Sequence, residues 1–134
     1  ARLTLDIAGA YPPEAGVFRW QRTMELIRGC RVEIVDAYEL TQPAKEITLS
    51  LLTPCQVSTE TPGILKLDAA GMAENRISGS GKITYAAEKL SPSVEQIPIE
   101  DDRLQGIWGK RIHRIVLTVK ESGNNDNWTL QITQ

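Results

Sequence analysis

The amino-acid sequence predicts an all-β fold: an antiparallel β-sandwich, or stacked antiparallel sheets, of about 9–11 short strands. Two observations predict it. Apolar residues recur with a period of two along most of the chain, and turn signals rich in proline, glycine or asparagine separate these stretches. No segment shows convincing helical periodicity. We therefore expect residues 1–134 to form a single β domain, which is long enough to bury a hydrophobic core.

The alternation is clearest in three segments, each with one face expected to be buried: Arg2–Ile7, His113–Lys120 and Trp128–Thr133. Shorter candidate strands are Glu46–Leu52, Gln56–Thr59, Ile64–Leu67, Arg76–Ser78 and Lys82–Ala86. The segment from Leu90 to Asp102 contains two prolines and several acids. We interpret it as a surface connection that includes at most one short edge strand.

The best-defined element is a hairpin from Val17 to Leu40. A three-residue loop, Ile27–Gly29, places Leu26 opposite Cys30 and brings the apolar faces of both arms into phase. Gly29 then takes the left-handed conformation that such loops need.

This register predicts a structural ion pair between Arg22 and Asp36. They are the only charged residues on the shared apolar face. With Trp20 opposite Asp36, Arg22 lies diagonally across the hairpin from Asp36 and within side-chain reach. Such a pair adds little net stability, but removal of one partner leaves the other charge stranded. A substrate clamp is the alternative interpretation.

Composition excludes several partners. The 15 Lys and Arg residues nearly balance the 17 Asp and Glu residues, and no run of like charge is typical of nucleic-acid binding. The densest basic cluster, Lys110, Arg111, His113 and Arg114, is interpreted as a solvated strand end rather than a ligand patch. No apolar run approaches the ~20 residues of a membrane span.

The chain opens on Ala in a strand-like pattern, which suggests a processed or excised segment.

No catalytic residue, metal site or cofactor is predicted. The two cysteines, Cys30 and Cys55, lie outside any CxxC motif, and a single histidine cannot complete a usual zinc site. Whether the cysteines are bonded stays open, although the apolar neighbours of Cys30 favour a buried thiol. His113 shares a strand face with apolar residues, so we expect a packed side chain with a satisfied ring nitrogen. The acids Glu100–Asp102 fall in a loop-like stretch.

Four residues are candidates for ligand binding: Tyr11, Trp108, Arg111 and His113. The other two tryptophans, Trp20 and Trp128, follow apolar faces and are expected in the core. Tyr11 precedes a double proline and Trp108 precedes a glycine, so these two aromatics are the least constrained by the strand pattern. The ligand that would suit these two side chains is a sugar, whose ring can stack on theirs.

Three segments carry a resemblance to a known family. They are Leu5–Pro12 followed by Trp20–Arg22, the Arg28-Gly29 turn leading to Val32–Asp36, and Trp108–Ile115. Together they cover about a third of the chain. These segments resemble the late part of heparinase II/III-type polysaccharide lyases.

The resemblance implies an origin as the C-terminal β portion of a larger, bacterial, periplasmic or secreted enzyme. Such lyases have an N-terminal α/α toroid followed by antiparallel β-sheet domains, and they cleave uronic-acid-containing polysaccharides by β-elimination. A tyrosine and histidines of the toroid and its junction with the first sheets transfer the protons, and some members hold a structural zinc in the β region. No residue here matches these histidines, so no catalytic role is carried over, including to His113.

We therefore expect a non-catalytic accessory domain whose partners are the toroid and first β region of a parent lyase, with polysaccharide as a further partner. Such a domain should have one sheet face that is more apolar than a solvent-facing surface. An autonomous carbohydrate-binding module is the alternative and requires an exposed aromatic row that includes Tyr11 or Trp108. An independent small enzyme would require His113 and a carboxylate to converge in a pocket.

Overall fold

The computed structural model describes residues 1–134 and contains ten β-strands and one α-helix, which confirms the all-β prediction. The strands are β1 (Arg2–Asp6), β2 (Val17–Ile27), β3 (Arg31–Leu40), β4 (Thr48–Thr53), β5 (Gln56–Thr61), β6 (Ile64–Asp68), β7 (Gly81–Thr84), β8 (Leu90–Pro98), β9 (Arg111–Val119) and β10 (Asn125–Thr133). The helix is α1 (Asp102–Trp108). No helix of the protein has the length and apolar character of a membrane-spanning segment.

The strands form two antiparallel sheets of unequal size. The larger has seven strands in the order β1-β2-β3-β10-β7-β6-β5, and the smaller has three in the order β4-β9-β8. One hydrophobic core lies between them, with large side chains from both sheets. Its fully buried members include Leu65 and Leu130 of the larger sheet and Leu90, Ile115 and Leu117 of the smaller one.

The β2–β3 hairpin forms as expected, but its register differs from the prediction by two residues. Leu26 lies opposite Val32, and the three-residue loop is Arg28–Cys30 rather than Ile27–Gly29. Gly29 does adopt the left-handed conformation, with φ of 70°. The amide of Cys30 donates to the carbonyl of Ile27 at 3.0 Å and closes the turn. A shift of two residues keeps the side chains from Trp20 to Leu26 on their predicted faces, whereas a β-bulge between Val17 and Arg19 leaves Phe18 66% exposed.

The segment from Leu90 to Asp102 is more regular than expected. Leu90–Pro98 is a nine-residue strand, paired with β9 along its whole length. It tolerates Pro92 and Pro98 because it is the edge strand of the smaller sheet.

The helix α1 was not predicted. The Asp101 carboxylate caps it by accepting from the amides of Arg103 and Leu104 at 2.9 and 3.0 Å. The predicted strand Arg76–Ser78 is also wrong, because only an isolated bridge between Gly71 and Ile77 forms there.

Both cysteines are free thiols, but their surroundings differ. The expected burial of Cys30 is wrong because the register shift places it in the exposed hairpin loop. Cys55 is buried, and its sulfur lies 3.1 Å from the carbonyl oxygen of Gly79 and 3.5 Å from the hydroxyl of Ser78.

A thiol-reactive reagent should therefore label one cysteine in the folded protein and both in denaturant, because exposure limits the reaction. Mass spectrometry after iodoacetamide treatment would assign the native adduct to Cys30. Cys30→Ser should abolish native labelling, and Cys55→Ser should leave it intact. Equal native labelling of both thiols would contradict the assigned burial of Cys55.

Candidate functional site

The Asp36 carboxylate is the most completely buried charge in the protein. Arg22 lies directly opposite it on the neighbouring strand, rather than diagonally as the sequence predicted. The guanidinium donates from Nε to Oδ1 at 2.8 Å and from Nη2 to Oδ2 at 3.0 Å, so the ion pair is bidentate. Asp36 is 0% exposed, and Trp20 Nε1 donates a third hydrogen bond to it at 3.0 Å.

The charge state of this pair follows from its contacts. The hydrogen bonding of Arg22 to the Asp36 carboxylate, which accepts from it, raises the pKa of the Arg22 guanidinium, and partial burial only partly opposes this rise. Arg22 therefore stays protonated at every pH the folded protein meets. Because all the polar atoms of the carboxylate side chain have partners within the sheet, the geometry is that of a structural pair.

Two of the segments that carry the family resemblance meet at this network. Asp6 ends β1 and accepts from the amides of Ala8 and Trp20 at 3.0 and 3.4 Å, which fixes the turn that follows. That turn delivers Tyr11 onto Trp20, with ring centroids 5.6 Å apart and planes 21° apart. Trp20 in turn stacks on Tyr38 at 5.3 Å. Residues of these segments, together with Tyr38, thus form one aromatic and ionic cluster in the hairpin.

Tyr11 is exposed and lines a small apolar cleft. The cleft has a volume of about 210 Å³, and its walls include Trp20, Leu40 and Ile47. Glu46 is its only charged residue. A cleft of this size and polarity suits an apolar group rather than a polar sugar ring.

The larger sheet extends beyond the smaller one and leaves part of its inner face uncovered. Leu3, Met24, Ile34 and Leu130 lie opposite one another in a single row across four strands. Leu130 is 0% exposed, whereas Leu3 at the edge is 51% exposed. We call the apolar residues at this end the uncovered face: Leu3, Leu5, Met24, Leu26 and Val32.

The reverse side of the same strands is polar, as a solvent-facing surface should be. A shallow groove there is lined by Arg2, Gln21, Thr23, Glu25, Glu33 and Val35. Thr4 and Thr23 share a hydrogen bond of 3.1 Å, and Gln131 donates to Glu33 at 2.9 Å. The contrast between the two faces is the amphipathic pattern of a sheet with one face buried, yet Leu3, Leu5 and Leu26 on the apolar face are exposed.

His113 lies in the core beneath the smaller sheet, as the strand pattern predicted. It shares the buried face of β9 with Ile115 and Leu117. The expected hydrogen bond of a ring nitrogen does not form at Nδ1, which is buried without a partner. Thr53 and Gln96 are its cross-strand neighbours, and His113 forms no ion pair with a carboxylate. His113 is thus not the exposed binding residue that the sequence allowed.

The basic cluster around β9 divides between three environments. His113 points into the core, while Arg114 faces outward and donates to Glu95 at 2.9 Å. Lys110 and Arg111 line a cleft of about 390 Å³ together with Trp108, Pro54, Gln56, Ala70 and Gly71. We call this the Trp108 cleft. It contains two basic residues and no acidic one.

The unpredicted helix is what positions Trp108. Arg76 donates from Nη2 to the carbonyl oxygens of Gly106 and Ile107 at 3.2 and 3.1 Å, which holds the end of α1. Gly109 then takes φ of 86°, which favours glycine and turns the chain into β9. Trp108 is 38% exposed at this turn. The signals that could have revealed α1 are the Asp101 cap and the glycine after Trp108.

Comparison with known proteins does not assign the chain to a family. No protein-family model matches the sequence, and no curated protein matches it either.

No group of three or more His, Cys, Asp or Glu side chains is arranged to hold a metal ion.

Proposed function

We propose that this chain is a non-catalytic accessory β domain of a heparinase II/III-like polysaccharide lyase, a parent enzyme that would cleave uronic-acid-containing polysaccharide by β-elimination. The observation that carries the proposal is the uncovered face. Leu3, Leu5 and Leu26 are each at least 40% exposed on a sheet face that is otherwise the hydrophobic core. A face of this kind is expected where another part of a protein packs.

In this proposal the uncovered face packs against the toroid or the first β region of the parent chain. The reverse face of the same strands is polar and suits solvent, so only one side of the hairpin would be covered. The Arg22–Asp36 pair lies at the junction of the buried and uncovered parts of the sheet, where it holds the two hairpin arms in register. By the same resemblance, the parent would act in the periplasm or outside the cell.

The autonomous carbohydrate-binding module is the less favoured alternative. It requires a row of exposed aromatic side chains. Tyr11 lines the apolar cleft beside Trp20, whereas Trp108 lines the Trp108 cleft, and the two clefts share no residue. The two exposed candidates therefore do not form one continuous stacking platform.

The experiment that tests the proposal is a lyase assay on the isolated chain and on the parent protein. The absorbance of the unsaturated uronate product would be followed with several uronic-acid-containing polysaccharides. We expect product from the parent and none from the isolated chain. Product from the isolated chain, or a parent protein that lacks a lyase toroid, would overturn the proposal.

A further inference from the structure

We infer that the Trp108 cleft is a binding site for an anionic sugar residue, with a carboxylate or sulfate paired to Lys110 and Arg111 and the sugar ring stacked on Trp108. The inference concerns a surface distinct from the uncovered face. The charge and the stacking follow from the cleft itself, whereas the choice of a sugar over another ring-bearing anion rests on the proposed function.

The charges of the cleft indicate an anionic ligand. Arg22, Arg31, Arg76, Arg114, Lys66 and Lys89 each have a carboxylate within 4.0 Å. Lys110 and Arg111 are among the nine basic residues that have none, and these two are adjacent in sequence and line one concave surface. Two cations that share a cleft whose lining contains no acidic residue raise the local positive potential and attract an anion.

The aromatic side chain adds a second requirement, a flat apolar face on the ligand. Trp20 and Trp128 are buried, so Trp108 is the only exposed tryptophan. The C–H face of a sugar ring packs on such an indole, while the hydroxyl groups at the ring edge can reach the amide of Gln56 in the same cleft. A volume of about 390 Å³ is within the range of small-molecule sites and suits one or two sugar rings.

The cleft is held in place by the elements around it. Arg76 fixes the end of α1, and a side chain on Gly109 would be in van der Waals contact with Met72 and Ala73. Ala70 and Gly71 also line the cleft, and their small size leaves room for a ligand. Because Trp108 is tied to a capped helix on one side and to β9 on the other, little ordering is needed when a ligand binds.

The test is a titration of the ¹⁵N-labelled chain with a uronate tetrasaccharide at millimolar concentration, observed by NMR. The three tryptophan indole N–H signals serve as probes, and Trp108→Phe assigns the one of interest. We expect the Trp108 signal to shift on titration, while the signals of Trp20 and Trp128 stay in place and report that the fold is intact. High salt should weaken the binding because the charges are exposed.

Matched variants separate the contributions. Trp108→Ala should lower the affinity about tenfold, and Arg111→Gln about threefold. Lys45→Gln removes an exposed and unpaired cation elsewhere and should leave the affinity unchanged. A neutral tetrasaccharide of equal length that binds as tightly would overturn the inference, as would a response to an oligonucleotide alone or to neither sugar. None of these outcomes decides whether the chain is an accessory lyase domain, which the lyase assay tests separately.

Discussion

Arg22→Met should destabilise the domain by about 3–5 kcal/mol, one of the two largest effects that the structure predicts for a single substitution. The substitution removes two of the three hydrogen bonds to Asp36 and leaves a carboxylate that is 0% exposed with Trp20 Nε1 as its only partner. A buried charge without its counter-ion cannot be resolvated while the sheet stays closed. Urea denaturation followed by tryptophan fluorescence would measure the loss.

Two further variants test whether the loss of stability comes from the stranded Asp36 carboxylate. Lys45→Met replaces an exposed, unpaired lysine and should change the free energy of unfolding by about 0.5 kcal/mol or less. The double variant Arg22→Met/Asp36→Leu should be more stable than Arg22→Met alone, because it removes the stranded charge and keeps an apolar pair across the strands. An Arg22→Met variant as stable as Lys45→Met would contradict the ion pair.

The hairpin shows which structural features an alternating strand pattern predicts and which it does not. Alternation decides which face each residue occupies, and every residue from Trp20 to Leu26 lies on the face that it assigns. Alternation cannot separate two registers that differ by two residues, because both keep the apolar faces matched. The structure has Arg22 directly opposite Asp36, where the guanidinium reaches both carboxylate oxygens.

The regions that escaped prediction are short or lie at an edge. With seven residues, α1 is too short for a helical repeat to stand out, and only its Asp101 cap and Gly109 mark its ends. In the segment Leu90–Pro98 the prolines argued against a strand, yet an edge strand has one side free of ladder hydrogen bonds. Strand position within a sheet depends on the whole topology and cannot be read from the local sequence.

For the candidate site residues, exposure could be predicted from the sequence, whereas their grouping into clefts could not. Tyr11, Trp108 and Arg111 were recognisable one by one as exposed or unconstrained side chains, and all three are exposed. That Trp108 and Arg111 share a cleft with Lys110, whereas Tyr11 lies in another, depends on how α1 and the segment around Gly71 pack. The burial of His113 followed from its strand face, but the missing partner of its Nδ1 atom depends on contacts across the sandwich.

The uncovered face follows from the unequal size of the two sheets. Seven strands are opposed by three, so the smaller sheet covers Trp20, Tyr38 and Leu130 but leaves Leu3 and Leu26 exposed. Since β1 lies at the edge of the larger sheet and its five residues are all exposed, it contributes little to the core of the isolated domain. In the proposed function, a covering partner would account for its apolar side chains.

Leu130→Ala and Leu3→Ala provide the corresponding test, because both leucines lie in one row of the same sheet face. Leu130 is fully buried, so its truncation should cost about 2–5 kcal/mol in the isolated chain. Leu3 is half exposed, and its truncation there should cost about 1 kcal/mol or less. Urea denaturation of each variant would measure both changes.

The same pair of variants in the parent protein distinguishes a covered face from a solvated one. If another domain packs on the uncovered face, Leu3 becomes buried there, and Leu3→Ala should cost about 1.5–3 kcal/mol. The penalty for Leu130→Ala should be unchanged, since its surroundings lie wholly within this domain. Hydrogen exchange of the β1 and β2 amides would locate the effect. A Leu3→Ala penalty that is equally small in both proteins would mean that the face stays in solvent, and the packing role of this domain would have to be abandoned.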